Sequence, residues 1–256
     1  MAYELIPVPA FRDNYIWLMA GAKSAAVVDP GDAAPVRKAL EERHLMLAAI
    51  LITHHHADHM GGAAALALQY GCPVYGPAGE SIEAVTEPLH EGQEVNIPRL
   101  EIDFNVLEIP GHTAGHIAFC GNNIVFCGDT LFSAGCGRLF EGTAAQMSRS
   151  LGKLAALPDS TAICCGHEYT MANLRFARVV EPGNRDIMDY ATEAAELRSR
   201  NLPTLPSTLG RERSVNPFLR CDTPAVVTAA QRHAGHALQG PIEVFAVIRS
   251  WKDIFT

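Results

Sequence analysis

Residues 53–59 read Thr-His-His-His-Ala-Asp-His, so four imidazoles and a carboxylate fall within six positions, directly after the apolar run 47–52. Solubility calls for charge, not for clustered imidazoles. Histidine and aspartate are donors that hold divalent metal ions, and that is the chemistry this density points to. Three more such donors sit in matching local settings: His112 after "VLEIPG", Asp129 after "IVFCG" and His167 after "AICCG". Each follows a strand-like run and a glycine that lets the backbone turn sharply. Strand ends converging on one sheet edge would bring these distant residues together, where α/β proteins place their sites.

The inventory suits two ions better than one. A catalytic zinc takes about three protein ligands and leaves a position open. This chain offers five nitrogen donors (His54, His56, His59, His112, His167) and two carboxylates (Asp58, Asp129). Asp129 has two oxygens with which to bridge ions roughly 3.5–4 Å apart. If the loop keeps an extended alternation, His54, His56 and Asp58 point to one side with His59 adjacent. His55 then falls out of phase and faces away. A lone histidine after a strand is ordinarily a polar loop residue, but seven donors in four matched settings are not explained that way. A structural zinc is also a poor fit, since such sites are usually cysteine-rich and no cysteine lies in these loops.

The elements that must position these residues are legible in outline. "AAVVD" (25–29) reads as a strand ended by the turn Asp29-Pro30-Gly31-Asp32, followed by the helix "APVRKALEERH". Residues 47–52 form a buried strand, and 62–70 a helix closed by Gly71. Strands follow at 100–109, 123–127 and 161–165, with a helix at 144–156 stopped by Pro158. Beyond about residue 168 the periodicity turns helical, in "MANLRFARVV", "RDIMDYATEAAELRSRN" and "TPAVVTAAQRHAGHAL". Thr223 is the expected N-cap of the last of these, with Pro224 opening the helix. "LPTLPSTLG" (202–210) reads as an extended connection.

Composition narrows the function classes. The chain has 256 residues, 48% of them hydrophobic, and a formal net charge of −8. That charge disfavours binding to nucleic acid or to an anionic membrane surface. No window approaches the length of a membrane-spanning helix, and the N-terminal stretch lacks the features of a signal peptide. Seven cysteines without a C-x-x-C pair read as reduced thiols in a cytoplasmic protein.

The pattern T-H-x-H-x-D-H with a later histidine, aspartate and histidine resembles the metallo-β-lactamase superfamily. Within it, "THHHADH", "GHTAGH", "FCGDTLFSAGCGRLFEG", "CGHEYTMANLRFA" and "VEPGN" are similar to stretches of glyoxalase II, the hydroxyacylglutathione hydrolases. "PTLPSTL", "NPFLR" and "IRSWKD" extend that resemblance nearly to the end of the chain. The resemblance implies an α+β protein, with an αββα sandwich over residues 1–168 followed by a smaller all-helical domain over 169–256. It implies that His54, His56 and His112 hold one metal, that Asp58, His59 and His167 hold the second, and that Asp129 bridges. It places glutathione contacts on Arg138, Phe140, Tyr169, Asn173, Arg249 and Lys252. Better-known members carry lysine and tyrosine where this chain has Arg138 and Phe140. Arginine keeps the charge, whereas phenylalanine offers no O–H.

The implied reaction converts S-D-lactoylglutathione and water to D-lactate and glutathione, the second step of methylglyoxal detoxification. Attack comes from a metal-bridging hydroxide, with Asp58 also placed to orient it. Zinc is the expected metal, with iron and manganese as alternatives, and a monomer is the expected state. A mononuclear-iron persulfide dioxygenase is the rival on the same scaffold, requiring only two histidines and a carboxylate. A nucleic-acid-processing member is disfavoured by the acidic charge.

Overall fold

Residues 3–255 are described in the computed structural model of the chain. In order, the elements of the first half are β1 (Glu4–Ala10), β2 (Asn14–Ala20), β3 (Ser24–Val28), α1 (Ala33–Glu42), β4 (Met46–Leu51), α2 (Ala57–Met60), α3 (Ala63–Tyr70), β5 (Val74–Pro77), β6 (Glu87–Leu89), β7 (Glu94–Ile97), β8 (Ile102–Glu108), β9 (Ile117–Gly121) and β10 (Ile124–Gly128). The second half holds β11 (Leu131–Phe132), β12 (Gly135–Cys136), α4 (Ala144–Ala155), β13 (Ala162–Cys165), α5 (Thr170–Val180), α6 (Arg185–Ser199), β14 (Ser207–Thr208), α7 (Leu209–Val215), α8 (Pro224–Ala234) and α9 (Pro241–Ile254). These pack as two compact units interleaved in sequence. One runs to Glu108 and takes in Thr113–Gly128 and Cys164–His167. The other comprises Ile109–His112, Asp129–Ile163 and the described chain from Glu168 on.

The first unit is built on two sheets. One has the order β1-β2-β3-β4-β5-β6, antiparallel across β1–β3 and parallel from β3 onward. The other runs β13-β10-β9-β8-β7. Every residue of β2 is buried, so both faces of the first sheet are covered there. One face packs Ile16, Leu18, Val27 and Ile50 against Val36 and Leu40 of α1 and Leu66 of α3. On the other face, Trp17 meets Phe126 of β10 at 6.5 Å between ring centroids. Prolines 7 and 9 obscure β1 in the sequence, but it is an edge strand, where a missing N–H is tolerated.

The second unit is mostly helical. Leu174, Ala177, Ile187, Tyr190 and Val215 form its core around α5, α6 and α7. The strands and helices read from periodicity appear within about two residues of the expected ends, except that α8 stops at Ala234, four residues short of the helical stretch read to 238, where Gly235 takes φ of 78°. Three local readings are corrected. The 202–210 connection is not extended throughout: Leu209 opens α7, capped by the Thr208 hydroxyl, which accepts from the Arg211 N–H. Thr223 stands at the N-cap of α8, but its hydroxyl donates to the Arg220 carbonyl, so it caps no helix N–H. The histidine loop is also not an extended alternation, because Ala57–Met60 is one helical turn.

Trp17 links the fold to the site. It is 2% exposed, and its indole N–H donates to the Cys165 carbonyl at 2.9 Å, two residues before His167. Trp17→Phe leaves that carbonyl without its donor and opens space beside Phe126. The variant should lose roughly 2–3 kcal/mol of stability. Urea unfolding followed by circular dichroism checks this, with a midpoint equal to wild type counting against it.

Candidate metal centre

Parallel pairing of β3 with β4 brings two strand ends side by side, and the Asp29 N–H donates to the Leu51 carbonyl at 2.9 Å. Asp29, 4% exposed, then organises the histidine loop. Its Oδ1 accepts from the Thr53 N–H at 2.7 Å. Its Oδ2 accepts from the Thr53 hydroxyl at 2.7 Å and pairs with His59 Nδ1 at 3.0 Å. The chain passes close enough here that a Cβ on Gly31 would lie 1.9 Å from the Asp58 carbonyl oxygen, so only glycine fits.

These contacts decide which ring nitrogen of each histidine carries a lone pair. The Thr53 hydroxyl gives its one proton to Asp29, so it accepts from His54 Nδ1, 3.0 Å away. His59 Nδ1 donates to Asp29 and His167 Nδ1 to Asp13 Oδ1, the latter at 2.9 Å. In the second unit, His112 Nδ1 faces the Arg138 carbonyl at 2.9 Å, which only accepts. In all four rings Nδ1 therefore holds the proton and Nε2 presents electrons.

Within each unit, ligand-type atoms lie at ligand spacing. His59 Nε2 and His167 Nε2 are 3.4 Å apart, and Asp58 Oδ2 lies 3.6 Å from the first and 3.4 Å from the second. His54 Nε2 is 3.2 Å from His56 Nδ1. His112 Nε2 is 3.5 Å from Asp129 Oδ2. Donors bonded at 2.0–2.1 Å to one tetrahedral ion are about 3.3 Å from one another. Buried lone pairs facing at that distance repel, and protonating both nitrogens would bury two cations side by side. A divalent cation relieves both problems, so the donor set fits a metal. Asp58 is held for this by Asn14 Nδ2, which donates to its Oδ2 at 2.9 Å.

His55 does turn away, placing Nδ1 3.0 Å from Glu80 Oε2. The sequence reading passed over Asp29, Asp13, Asn14 and His116. His116 is fully buried and stacks on His54 at 4.5 Å between centroids. Asp29 could have been found, because it ends a strand as the other donors do. Asp13, Asn14 and His116 carry no comparable signal.

Within the second unit, one cavity of about 450 Å³ is lined by His112 and Asp129 together with Arg138, Phe140, Tyr169, Asn173, Arg249 and Lys252. Phe140 is 61% exposed, with its ring edge-on to His112 at 5.2 Å. Tyr169 packs edge-on to Phe132 at 5.2 Å. Asn173 is buried and donates to the Ser133 carbonyl at 3.0 Å. Arg249 is buried as well, where spacing alone would suggest a solvated stripe. Burial lowers the Lys252 ammonium to about 8, with Arg249, Arg175 and Arg138 adding repulsion. The cavity is thus locally cationic in a chain of net charge −8.

Comparison with known proteins agrees with this geometry. Residues 10–167 match the metallo-β-lactamase superfamily, and residues 168–255 match the family described as hydroxyacylglutathione hydrolase C-terminus. The hydroxyacylglutathione hydrolase of Nitrosomonas eutropha is 52% identical over 98% of this chain and 99% of its own. That of Alkalilimnicola ehrlichii is 54% identical over 98% of both chains. Among solved structures, ETHE1 from Myxococcus xanthus superposes with a TM-score of 0.66 at 23% identity, covering 98% of each chain, which shows the fold. TTHA1623 in a di-iron-bound form does so with a TM-score of 0.59 at 26% identity, over 84% of this chain and all of that one. The α+β architecture is that of the metallo-β-lactamase fold with a helical C-terminal region, and the chain belongs to the hydroxyacylglutathione hydrolase family.

Proposed function

We propose that this chain is a glyoxalase II, hydrolysing S-D-lactoylglutathione to D-lactate and glutathione. One observation carries the reading: His112 and Asp129 line the same cavity as the three cations Arg138, Arg249 and Lys252. A donor pair of ligand type next to a cationic pocket suits an anionic substrate that must be held while its thioester is cleaved. Membership of the hydrolase family supports the same activity. We read residues 1–168 as the catalytic domain and 169–256 as the substrate-binding domain, in keeping with the two matched families.

We assign His54, His56 and His112 to one ion, Asp58, His59 and His167 to the other, and Asp129 to both. Two bound divalent ions would supply a hydroxide nucleophile at neutral pH and offset charge developing on the thioester oxygen. Asp29, Asp13, Thr53 and the Arg138 carbonyl keep Nε2 of four histidines deprotonated for that purpose. Arg138 and Lys252 hold substrate carboxylates, and Phe140 gives apolar contact at the mouth of the cavity. The leaving thiolate has a conjugate acid near pKa 8.5, so no strong general acid is required. We propose zinc in both positions, a monomeric protein and a cytoplasmic location. Seven free cysteines support a reducing compartment, and among the described residues no helix is long and apolar enough to cross a membrane. A mononuclear-iron dioxygenase leaves the Asp58, His59 and His167 triangle without a purpose and is the weaker reading.

Assay of the purified protein with S-D-lactoylglutathione, alongside elemental analysis, tests this reading. Turnover with two ions per chain is expected, and one ion per fully loaded chain defeats the binuclear assignment. Asp129→Ala should lose metal and nearly all activity, because it removes a ligand from both ions.

Asp29→Asn turns an acceptor of three hydrogen bonds into a group that must donate toward one of them. It should weaken metal retention roughly 10–100-fold. His55→Ala should keep both ions, since His55 faces Glu80. Equal metal loss in the two variants would contradict the tautomer argument.

Lys252 sets a pH dependence. It is charged below about 8 and loses its proton as the pH rises, so affinity for an anionic substrate falls on the alkaline side. KM should rise roughly tenfold between pH 7 and 9.5, with kcat changing less. Lys252→Arg stays charged and should flatten the profile. An unchanged profile in that variant would remove Lys252 from the explanation.

A further inference from the structure

The segment from Thr130 to Arg138 connects Asp129 to the cavity wall with almost no regular structure of its own. Its β11–β12 ladder pairs two residues with two, too few to hold itself. Side chains from elsewhere in the second unit suspend it instead. Asn216 Nδ2 donates to the Phe132 and Gly135 carbonyls at 3.1 and 3.0 Å. Asn173 holds the Ser133 carbonyl, and the buried Glu212 accepts from the Ala134 N–H at 2.7 Å. Ala134 has φ of 53°, a conformation costly for a residue with a Cβ, so these restraints oppose a real tendency to relax.

Arg249 completes the suspension at the end nearest the ligands. Its Nη1 donates to the Cys136 carbonyl at 2.7 Å, with the Gly137 carbonyl at 3.5 Å. Its Nη2 donates to Asp253 Oδ1 at 3.2 Å. The buried Nε–H has no partner among the described residues. Gly137 packs directly on both expected ligands, since a Cβ there would lie 1.9 Å from the Asp129 carbonyl oxygen and 3.2 Å from His112 Nδ1. The next carbonyl, that of Arg138, is the one that accepts from His112 Nδ1.

We propose that Arg249 is a positioning residue whose guanidinium, by fixing the backbone at Cys136 and Gly137, sets the orientation of His112 and Asp129. This rests on the reading that those two residues hold metal. A guanidinium that served only a substrate carboxylate would present its paired Nη groups to solvent or ligand. Here both Nη groups are bonded within the protein and Nε is buried, so the guanidinium is spent on the fold. Loss of Arg249 should therefore affect metal retention and turnover as well as affinity.

The test uses Arg249→Met, which keeps apolar bulk, and Arg249→Lys, which keeps charge and can reach one carbonyl. Circular dichroism and thermal unfolding establish that each is folded. Metal retention is measured without substrate, by competition with a chelator. Kinetics are measured on lactoylglutathione and on the lactoyl thioester of N-acetylcysteamine, which has no carboxylate. Arg249→Met should need roughly 10–100-fold more free metal for half occupancy. Its kcat should fall on both substrates, including the one without a carboxylate to bind. Arg249→Lys should recover part of the metal retention, and it is the variant that decides if Arg249→Met does not fold. Unchanged metal retention, with a defect confined to KM for the glutathione thioester, would overturn the proposal. A wild type that cleaves both thioesters equally well would count against the glutathione reading of the cavity, and metal retention would then decide the role of Arg249 by itself.

Discussion

The site depends on one constraint: an imidazole with a proton fixed on one nitrogen must present electrons from the other. His54, His59, His112 and His167 each face an acceptor through Nδ1. The acceptors differ, being a hydroxyl already committed to Asp29, two carboxylates and a backbone carbonyl, but their effect is the same. They convert ambiguous rings into oriented lone pairs, and burial then makes those lone pairs costly without a cation. The strand ends around them look arranged for that purpose. β3 and β4 run parallel so that Asp29 lies beside Thr53, and Tyr15 donates to the Gly166 carbonyl at 2.8 Å beside His167.

The same logic extends into the helical unit through backbone rather than side chains. The carbonyl that orients His112 belongs to Arg138, whose own side chain is exposed at the cavity. Residues 130–138 therefore face two tasks, presenting a cation to the cavity and a carbonyl to a histidine. An irregular segment can meet both only if its polar backbone is satisfied from outside. Glu212 does much of this while wholly buried. Desolvation raises its pKa, opposed by hydrogen bonds from Ser207, Ala134, Asn216 and Ser133. A carboxylate with that many donors stays compatible with the interior.

The cavity gathers cations within an acidic protein. Global charge governs approach from a distance, whereas recognition is local and less screened. Arg138, Arg175, Arg249 and Lys252 lie close enough that the ammonium is lowered to about 8, burial being the larger cause. A site that holds its own cations at such cost is poised to gain from a bound anion.

The seven donors, the strands ahead of them and the helical C-terminal region were legible in the sequence. Each is announced locally, by residue type, by a short apolar run or by a helix of period 3.6. His55 also stood out: it leaves the cluster to meet Glu80, while the helical turn at Ala57–Met60 replaces the expected alternation only from Asp58 on. Asp29 was read only as a turn residue, Asn216 only as part of the "NPFLR" resemblance, and Asp13, Asn14 and Glu212 were given no role. Their partners lie far along the chain, His167 being 154 residues from Asp13 and Ser133 being 79 from Glu212. Arg249 shows the division most clearly. Its charge and position pointed to a substrate contact, while burial and two backbone carbonyls 112 and 113 residues away show what its guanidinium holds. Donor identity is a property of a residue, so sequence alone determined it. Donor orientation is a property of the partners, and only tertiary structure brings those together.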